Sequence, residues 1–324
     1  MERLRIGTRG SALALAQTGQ VAARLEAHGV ATEIVVVRTS GDRLADVSLA
    51  KLGGKGLFIK ELEEALAAGE IDVAVHSMKD VPAVLPDGFA IAAVPPRAAV
   101  EDVIVVRAEP EGSVSSAASV TDGISVIDAL APGARVGTGS LRRGAQIAGR
   151  RHDLAVVPLR GNVDTRLRKL AAGEVDAVVL AAAGLGRLGL SVPARVLDAE
   201  LFVPAPGQGA LALEVSAASA AGDRVALLDD RLSARRCEAE RSFSRALGAS
   251  CVAPVAALAR SPEGEAGSTL ELTGLVATLD GRRILRDRLA GPIDEPDALG
   301  ARLADRLIAA GAREILDEIE RASG

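Results

Sequence analysis

Leu66–Val75 reads LAAGEIDVAV and Leu170–Val179 reads LAAGEVDAVV. Each phrase has the grammar of a helix end, a glycine turn and a buried strand. The likeness extends upstream, where Ile6-Gly7-Thr8 followed by Ser11 and Gln17 matches Val136-Gly137-Thr138 followed by Ser140 and Gln146. The chain therefore holds two copies of one α/β unit. Ile6 to Gly69 spans 63 positions and Val136 to Gly173 spans 37, so the first copy carries 26 extra residues. Most of them fall in TSGDRLADVSLAKLGGKG, Thr39–Gly56. A long polar segment with glycine hinges has the pattern of a lid.

Working outward, short apolar runs alternate with helix-period segments, which predicts mainly parallel sheets with crossover helices. In the first copy, strands are expected at Leu4–Thr8, Thr32–Val37 and Ile71–Val75, with helices at Ser11–Ala27 and Leu57–Ala68. In the second, strands are expected at Ala134–Gly137, Leu154–Val157 and Val175–Ala181, with helices at Ser140–Arg150 and Val163–Ala172. Arg107–Gly123, rich in Ser, Ala and Gly, has the composition of an excursion between the copies. Past Gly207-Gln208-Gly209 the pattern changes. A helix from about Arg224 to Leu247 precedes strands Val255–Arg260, Leu270–Thr278 and Arg283–Leu289, with a turn at Asp280-Gly281 and a closing helix Pro296–Ala322. This reads as a separate α+β domain.

The 324 residues suit two or three domains, and 48% hydrophobic with 25% charged residues is ordinary globular composition. Four Phe with no Trp or Tyr leave the core to Ala, Val, Leu and Ile, and deprive nucleic-acid binding of its stacking platforms. A net charge of -5 argues against a globally basic binder. Cys237 and Cys251 cannot form a disulfide framework, and with His28, His76 and His152 they show no metal-ligand spacing, so no metal is expected. No apolar stretch is long enough to span a bilayer. The expectation is a cytoplasmic chain with reduced thiols.

Chemistry concentrates at helix starts. A Gly-Thr loop and a Ser cap before a helix present free N–H groups and the positive end of the dipole, a ready anion site. Arg9 and Ser11 furnish the first copy, and Thr138, Ser140, Arg142 and Arg143 the second, with Arg160 and Arg166 beyond. Arg135–Lys169 holds nine basic residues against Asp153 and Asp164. Cations opening helices are badly placed for stability alone, which points to a polyanionic ligand. His76-Ser77-Met78-Lys79-Asp80-Val81-Pro82 follows a buried strand at its carboxyl end, where open α/β sheets bind ligands. Asp80 is thus a candidate catalytic carboxylate and Lys79 an anion contact, with Lys51 and Lys55 in the lid segment. Gly184-Leu185-Gly186-Arg187-Leu188-Gly189 satisfies G-x-G-x-x-G, yet Pro193 intervenes at once and no acidic residue follows at the right distance. Nucleotide binding is not expected there.

Together GTRGSALALAQ, LGGKGLFIKELE, HSMKDVP, VGTGSLRR, LRGNVDTRL, AAAGLGRLG, PAPGQGAL and ERSFSRALGASCVAP closely resemble the porphobilinogen deaminase family, in order and over essentially the whole chain. The resemblance implies an α/β fold of two similar periplasmic-binding-protein-like lobes around a cleft, plus a smaller α+β third domain. It divides the chain into 1–98 with 203–220 as the first lobe, bearing lid 39–56, then 99–202 and 221–324. It implies a transferase that joins four porphobilinogen molecules, with loss of ammonia, into the linear tetrapyrrole hydroxymethylbilane. A dipyrromethane cofactor would be held by a thioether to the cysteine matching Cys251, and Asp80 would be the catalytic carboxylate beside the pyrrole N–H groups. Loss of ammonia from porphobilinogen leaves an azafulvenium cation that such a carboxylate stabilises. Arg9, Ser11, Lys51, Lys55, Ser77, Lys79, Thr138, Ser140, Arg142, Arg143, Arg160, Arg166 and Arg187 would bind the carboxylate arms of cofactor and substrate. The implied protein is a cytoplasmic monomer with no nucleic-acid or membrane partner. A two-lobe anion-binding solute receptor or sensor without catalysis is the alternative; it leaves the third domain and Cys251 without a purpose.

Overall fold

Both LAAGE phrases end their helix on a left-handed glycine, Gly69 at φ +67° and Gly173 at φ +76°. The reversed chain then closes on itself: Glu70 donates its N–H to Ala65 and Glu174 to Lys169. In the computed structural model, which describes residues 3–37, 59–107, 122–249, 253–262 and 267–323, these turns feed matching strands. The first copy comprises β1 (Leu4–Thr8), α1 (Ala12–Ala27), β2 (Thr32–Val36), α2 (Lys60–Ala67), β3 (Val73–Ser77) and, after a 3-10 turn at Met78–Asp80, β4 (Phe89–Ala93). The second comprises β5 (Asp102–Val106), α3 (Gly123–Ala129), β6 (Arg135–Thr138), α4 (Leu141–Arg150), β7 (Ala155–Pro158), α5 (Val163–Ala171), β8 (Ala177–Ala181), α6 (Ala182–Arg187) and β9 (Ala194–Leu197).

The equivalence reaches individual side chains. Asp72 accepts from the backbone N–H and guanidinium of Arg5, and Asp176 does the same for Arg135. Residues 70–72 and 174–176 are committed to the turn and to this pair, so β3 and β8 begin two residues later than their apolar runs suggest. β3 accordingly runs to Ser77, past the expected end at Val75.

Each copy forms a five-stranded sheet, β2-β1-β3-β10-β4 and β7-β6-β8-β5-β9, where β10 is Leu211–Ser216. β1 pairs in parallel with β2 and β3, as β6 does with β7 and β8. β10 lies antiparallel between β3 and β4, and β5 antiparallel between β8 and β9. The chain therefore passes from one sheet to the other twice, after β4 and again before β10.

The remainder contains α7 (Ala221–Val225), α8 (Arg231–Leu247), β11 (Val255–Arg260), β12 (Thr269–Ala277), β13 (Ile284–Pro292), α9 (Pro296–Ala309) and α10 (Ala312–Ser323). β11, β12 and β13 form an antiparallel sheet. The single helix expected from Arg224 is broken, because Asp230 caps α8 by accepting from the Ser233 N–H and Asp229 turns away to accept from the Val94 N–H. The closing helix is likewise two, parted at Gly311 with φ +101°. The cores are aliphatic, with Phe243 the largest fully buried side chain. Gly274 makes room for it, since a Cβ there would lie 2.6 Å from the ring. No helix among the described residues is long and apolar enough to cross a membrane.

Candidate active site

β3 ends at Ser77 and the chain tightens into the 3-10 turn Met78–Asp80, anchored by the Met78 N–H donating to the Ala210 carbonyl at 3.0 Å. This turn leaves Asp80 exposed and Lys79 half-buried. Burial, and secondly Arg143, push the Lys79 ammonium down to about 8. Arg166 is brought down to about 10 by burial and by Arg143, with Asp80 opposing. Its Nε donates to the Gly161 carbonyl at 2.8 Å. Lys79, Asp80, Arg143 and Arg166 thus share one electrostatic neighbourhood.

Arg142 and Arg143 open α4, but they lie inside the protein, 3% and 5% exposed. Both meet Asp102, the fully buried first residue of β5. Arg143 donates to Asp102 Oδ1 from Nε at 3.1 Å and Nη2 at 2.7 Å, and Arg142 Nη1 lies 2.8 Å from Oδ2. Burial alone would raise the Asp102 carboxyl, but the two guanidiniums outweigh it and hold the group well below the usual carboxylate range. These arginines therefore have a structural partner at their helix start, which corrects the expectation that stability gives no reason for them. Asp102 lies outside the Arg135–Lys169 stretch, so local charge counting misses it. Its only mark in the sequence is an acid at the head of the apolar run DVIVV. One carboxylate nevertheless leaves two guanidiniums with a charge in excess. The buried Nε of Arg142 has no hydrogen-bond partner among the described residues.

The hydroxyls do local work as well. Ser11 accepts from the Ala14 N–H and Ser140 from the Arg143 N–H, capping α1 and α4. Thr138 accepts from the Ser140 N–H, and Ser77 from Gln17 Nε2 at 2.8 Å. Each oxygen still has a proton to donate. Arg9 and Arg160 are half-buried in the loops after β1 and β7. Arg187 lines a different cavity of about 290 Å³ with Arg24, Gln20 and Ala182. Burial and Arg24 bring it down to about 10, and its Nη2 donates to the Gly209 carbonyl at 2.7 Å. Gly184 and Gly186 lie within the short helix α6, not in a phosphate-cradling loop. Lys51, Lys55, Cys251 and the lid segment 39–56 lie outside the described residues.

Sequence reasoning also missed a network behind the turn. Arg97 forks onto Glu240 at 2.8 and 2.9 Å and donates to the Gln208 carbonyl, while Gln208 Nε2 donates to Asp102 Oδ1 at 2.9 Å. His76 Nε2 lies 2.8 Å from Glu214 Oε2, both buried. PAPGQGAL marks Gln208 and ERSFSRALGASCVAP marks Glu240 as parts of motifs; nothing local marks Glu214.

The family model described as "Porphobilinogen deaminase, dipyromethane cofactor binding domain" matches residues 4–223, and "Porphobilinogen deaminase, C-terminal domain" matches residues 234–309. The porphobilinogen deaminase of Syntrophus aciditrophicus (strain SB) is 46% identical over 323 residues, 98% of this chain and 99% of that protein. That of Thiobacillus denitrificans (strain ATCC 25259 / T1) is 47% identical over 323 residues, again 98% and 99%. Among solved structures, the periplasmic aliphatic sulphonate binding protein SsuA of Escherichia coli aligns over 76% of this chain and 70% of its own, at 17% identity and a TM-score of 0.39.

Proposed function

Because the chain belongs to the porphobilinogen deaminase family, we propose that Asp80 is its catalytic carboxylate and that Cys251 carries its dipyrromethane. The protein is a transferase of tetrapyrrole biosynthesis. It condenses four porphobilinogen molecules, with release of ammonia, into hydroxymethylbilane. The solute-receptor alternative falls with that membership.

The residues present suit a polycarboxylate cofactor. Four cations, Arg142, Arg143, Lys79 and Arg166, gather around two carboxylates, Asp102 and Asp80, and the buried Arg142 Nε lacks a protein acceptor among the described residues. When bound, the dipyrromethane supplies the pyrrole carbon on which the chain is built. Arg142 and Arg143, pre-set by Asp102, hold carboxylate arms, each charge-assisted hydrogen bond contributing about 1.5 to 3 kcal/mol. Lys79 and Arg166 take further arms next to Asp80, and Ser11, Ser77, Thr138 and Ser140 donate their hydroxyl protons. Arg9 and Arg160 bind arms of incoming substrate, and Lys51 and Lys55 close over them. Arg187 serves a more distant arm from its own cavity.

Asp80 sits exposed at the strand end, free to approach a pyrrole N–H. Its negative charge offsets the cation left when ammonia departs, and its oxygen accepts the proton released as aromaticity returns. The closeness of Lys79 and Arg166 to Asp80 is the observation that supports this assignment best. The domain bounds 1–98 with 203–220, 99–202 and 221–324, a monomeric state, a cytoplasmic location and the absence of nucleic-acid and membrane partners complete the reading.

Two measurements test it. A single-turnover assay on cofactor-loaded Asp80→Asn should lose about 10² to 10⁴ in rate, with an unchanged melting temperature. Near-normal ammonia release would move the role elsewhere. Intact mass should show two linked pyrroles on the parent protein and on Cys237→Ala, and none on Cys251→Ala.

A further inference from the structure

Arg241 stands on α8 beside Glu240, and its guanidinium reaches the segment that directly follows Asp80. Nη2 donates to the Pro82 carbonyl at 2.8 Å and to the Ala83 carbonyl at 3.4 Å, while Nη1 donates to the Val81 carbonyl at 3.3 Å. Glu240 accepts the Gly207 N–H at 2.6 Å. Gly207, at φ +72°, is packed so closely on Met78 that a Cβ there would lie 2.5 Å from the Met78 Cγ. The two ends of the Met78–Asp80 turn are therefore held from adjacent residues of one helix. Through Gly207, Glu240 backs the first residue of the turn, and Arg241 grips the carbonyls beyond the last. That helix ends at Leu247, four positions before Cys251.

We propose that Arg241 is a positioning residue for Asp80, fixing the direction in which its carboxylate meets the substrate and tying that direction to the helix leading to Cys251. These three bonds go to backbone carbonyls and not to the carboxylate, so they act on Asp80 through the backbone of residues 81–83. A planar guanidinium suits the task, because its fork serves several carbonyls at once where an ammonium on a flexible stem serves one point. The inference rests on the reading of Asp80 given above.

The test uses holoenzyme, with cofactor loading checked by intact mass and folding by thermal melt, and compares Arg241→Ala, Arg241→Lys, Asp80→Asn and Arg245→Ala. Arg245, one turn along α8, pairs with Asp297 and serves as control. Misplacing a reacting group by about 1 Å costs up to about 10²-fold, so kcat of loaded Arg241→Ala should fall by about 10- to 100-fold with KM within about threefold. Arg241→Lys should fall between it and the parent, and Arg245→Ala should match the parent. If Arg241→Ala does not fold, the decision passes to Arg241→Lys, whose kcat must drop without a comparable rise in KM. Parental kcat in loaded Arg241→Ala beside an inactive Asp80→Asn overturns the positioning role alone, as does a loss confined to cofactor loading or KM. Parental kcat in Asp80→Asn overturns the reading beneath it.

Discussion

Asp102 shows how one residue changes the meaning of its neighbours. Two guanidiniums at the start of α4 oppose its dipole, and a buried carboxylate 40 positions earlier in the chain makes them tolerable. Replacing Asp102 with Asn should strand both arginines. The expected loss is about 3–5 kcal/mol in urea unfolding, the range for breaking a buried pair from one side. Because the carboxyl of Asp102 is lowered on folding, its stabilisation is present above the ordinary value of 3.8 and disappears as pH falls through the folded value. Lys79 has the opposite sign. Its folded value near 8 lies below the ordinary 10.5, so its charge costs stability at neutral pH and that cost is relieved between about 8 and 10.5. A carboxylate ligand needs the charged form. The profile of kcat/KM for porphobilinogen should therefore decline as pH rises through about 8, and this limb should vanish in Lys79→Arg, which stays protonated.

Among the elements, the paired turns invite a matched experiment. Gly69 and Gly173 both sit in the left-handed region, and an added Cβ meets nothing closer than 3.7 Å at either. Alanine at either position should cost about 1–2 kcal/mol of backbone strain without a packing clash. Gly281 is a different case. It turns the β12–β13 hairpin at φ +69° and presses on α4, where a Cβ would stand 2.2 Å from the Gly149 nitrogen and 2.4 Å from the Ala145 carbonyl oxygen. Gly281→Ala should therefore cost clearly more than either turn variant, measured by the same unfolding series, since strain adds to loss of the contact. Much at this scale is legible in the sequence. The Ser11 and Ser140 caps, the LAAGE turns and the Asp280-Gly281 hairpin are local rules carried by two to six neighbouring residues. Helix breaks at Asp229-Asp230 and Gly311 escape a reading by period alone, because apolar spacing continues across both.

At the scale of the whole molecule, Glu240 joins parts that share no sequence pattern. It is fully buried, and its two oxygens accept from Arg97, from the Gly207 N–H and from the Ala259 N–H. One carboxylate thus binds both passages between the sheets to β11. Burial opposes the charge of Arg97, but Glu240 more than restores it and raises the guanidinium above its ordinary value. Glu240→Gln should lower the melting temperature more than Gly69→Ala, with the sheets no longer melting in one transition. Calorimetry and far-UV dichroism followed together would show it.

The duplication, the alternation of strands with crossover helices in each copy, the caps and the candidate carboxylate at the end of β3 are legible in the chain, because each depends on spacing between near neighbours. Which charges meet is set by packing. Asp102 reaches Arg142 and Arg143, Gln208 reaches Asp102, and Arg241 reaches the carbonyls beyond Asp80 across separations of 40 to 160 positions. The tertiary structure also decided that β10 enters the first sheet between β3 and β4. A buried charge finds its counter-charge wherever packing brings the two together, and an antiparallel strand pairs by register with whatever edge is open. Neither leaves a period in the chain to be read.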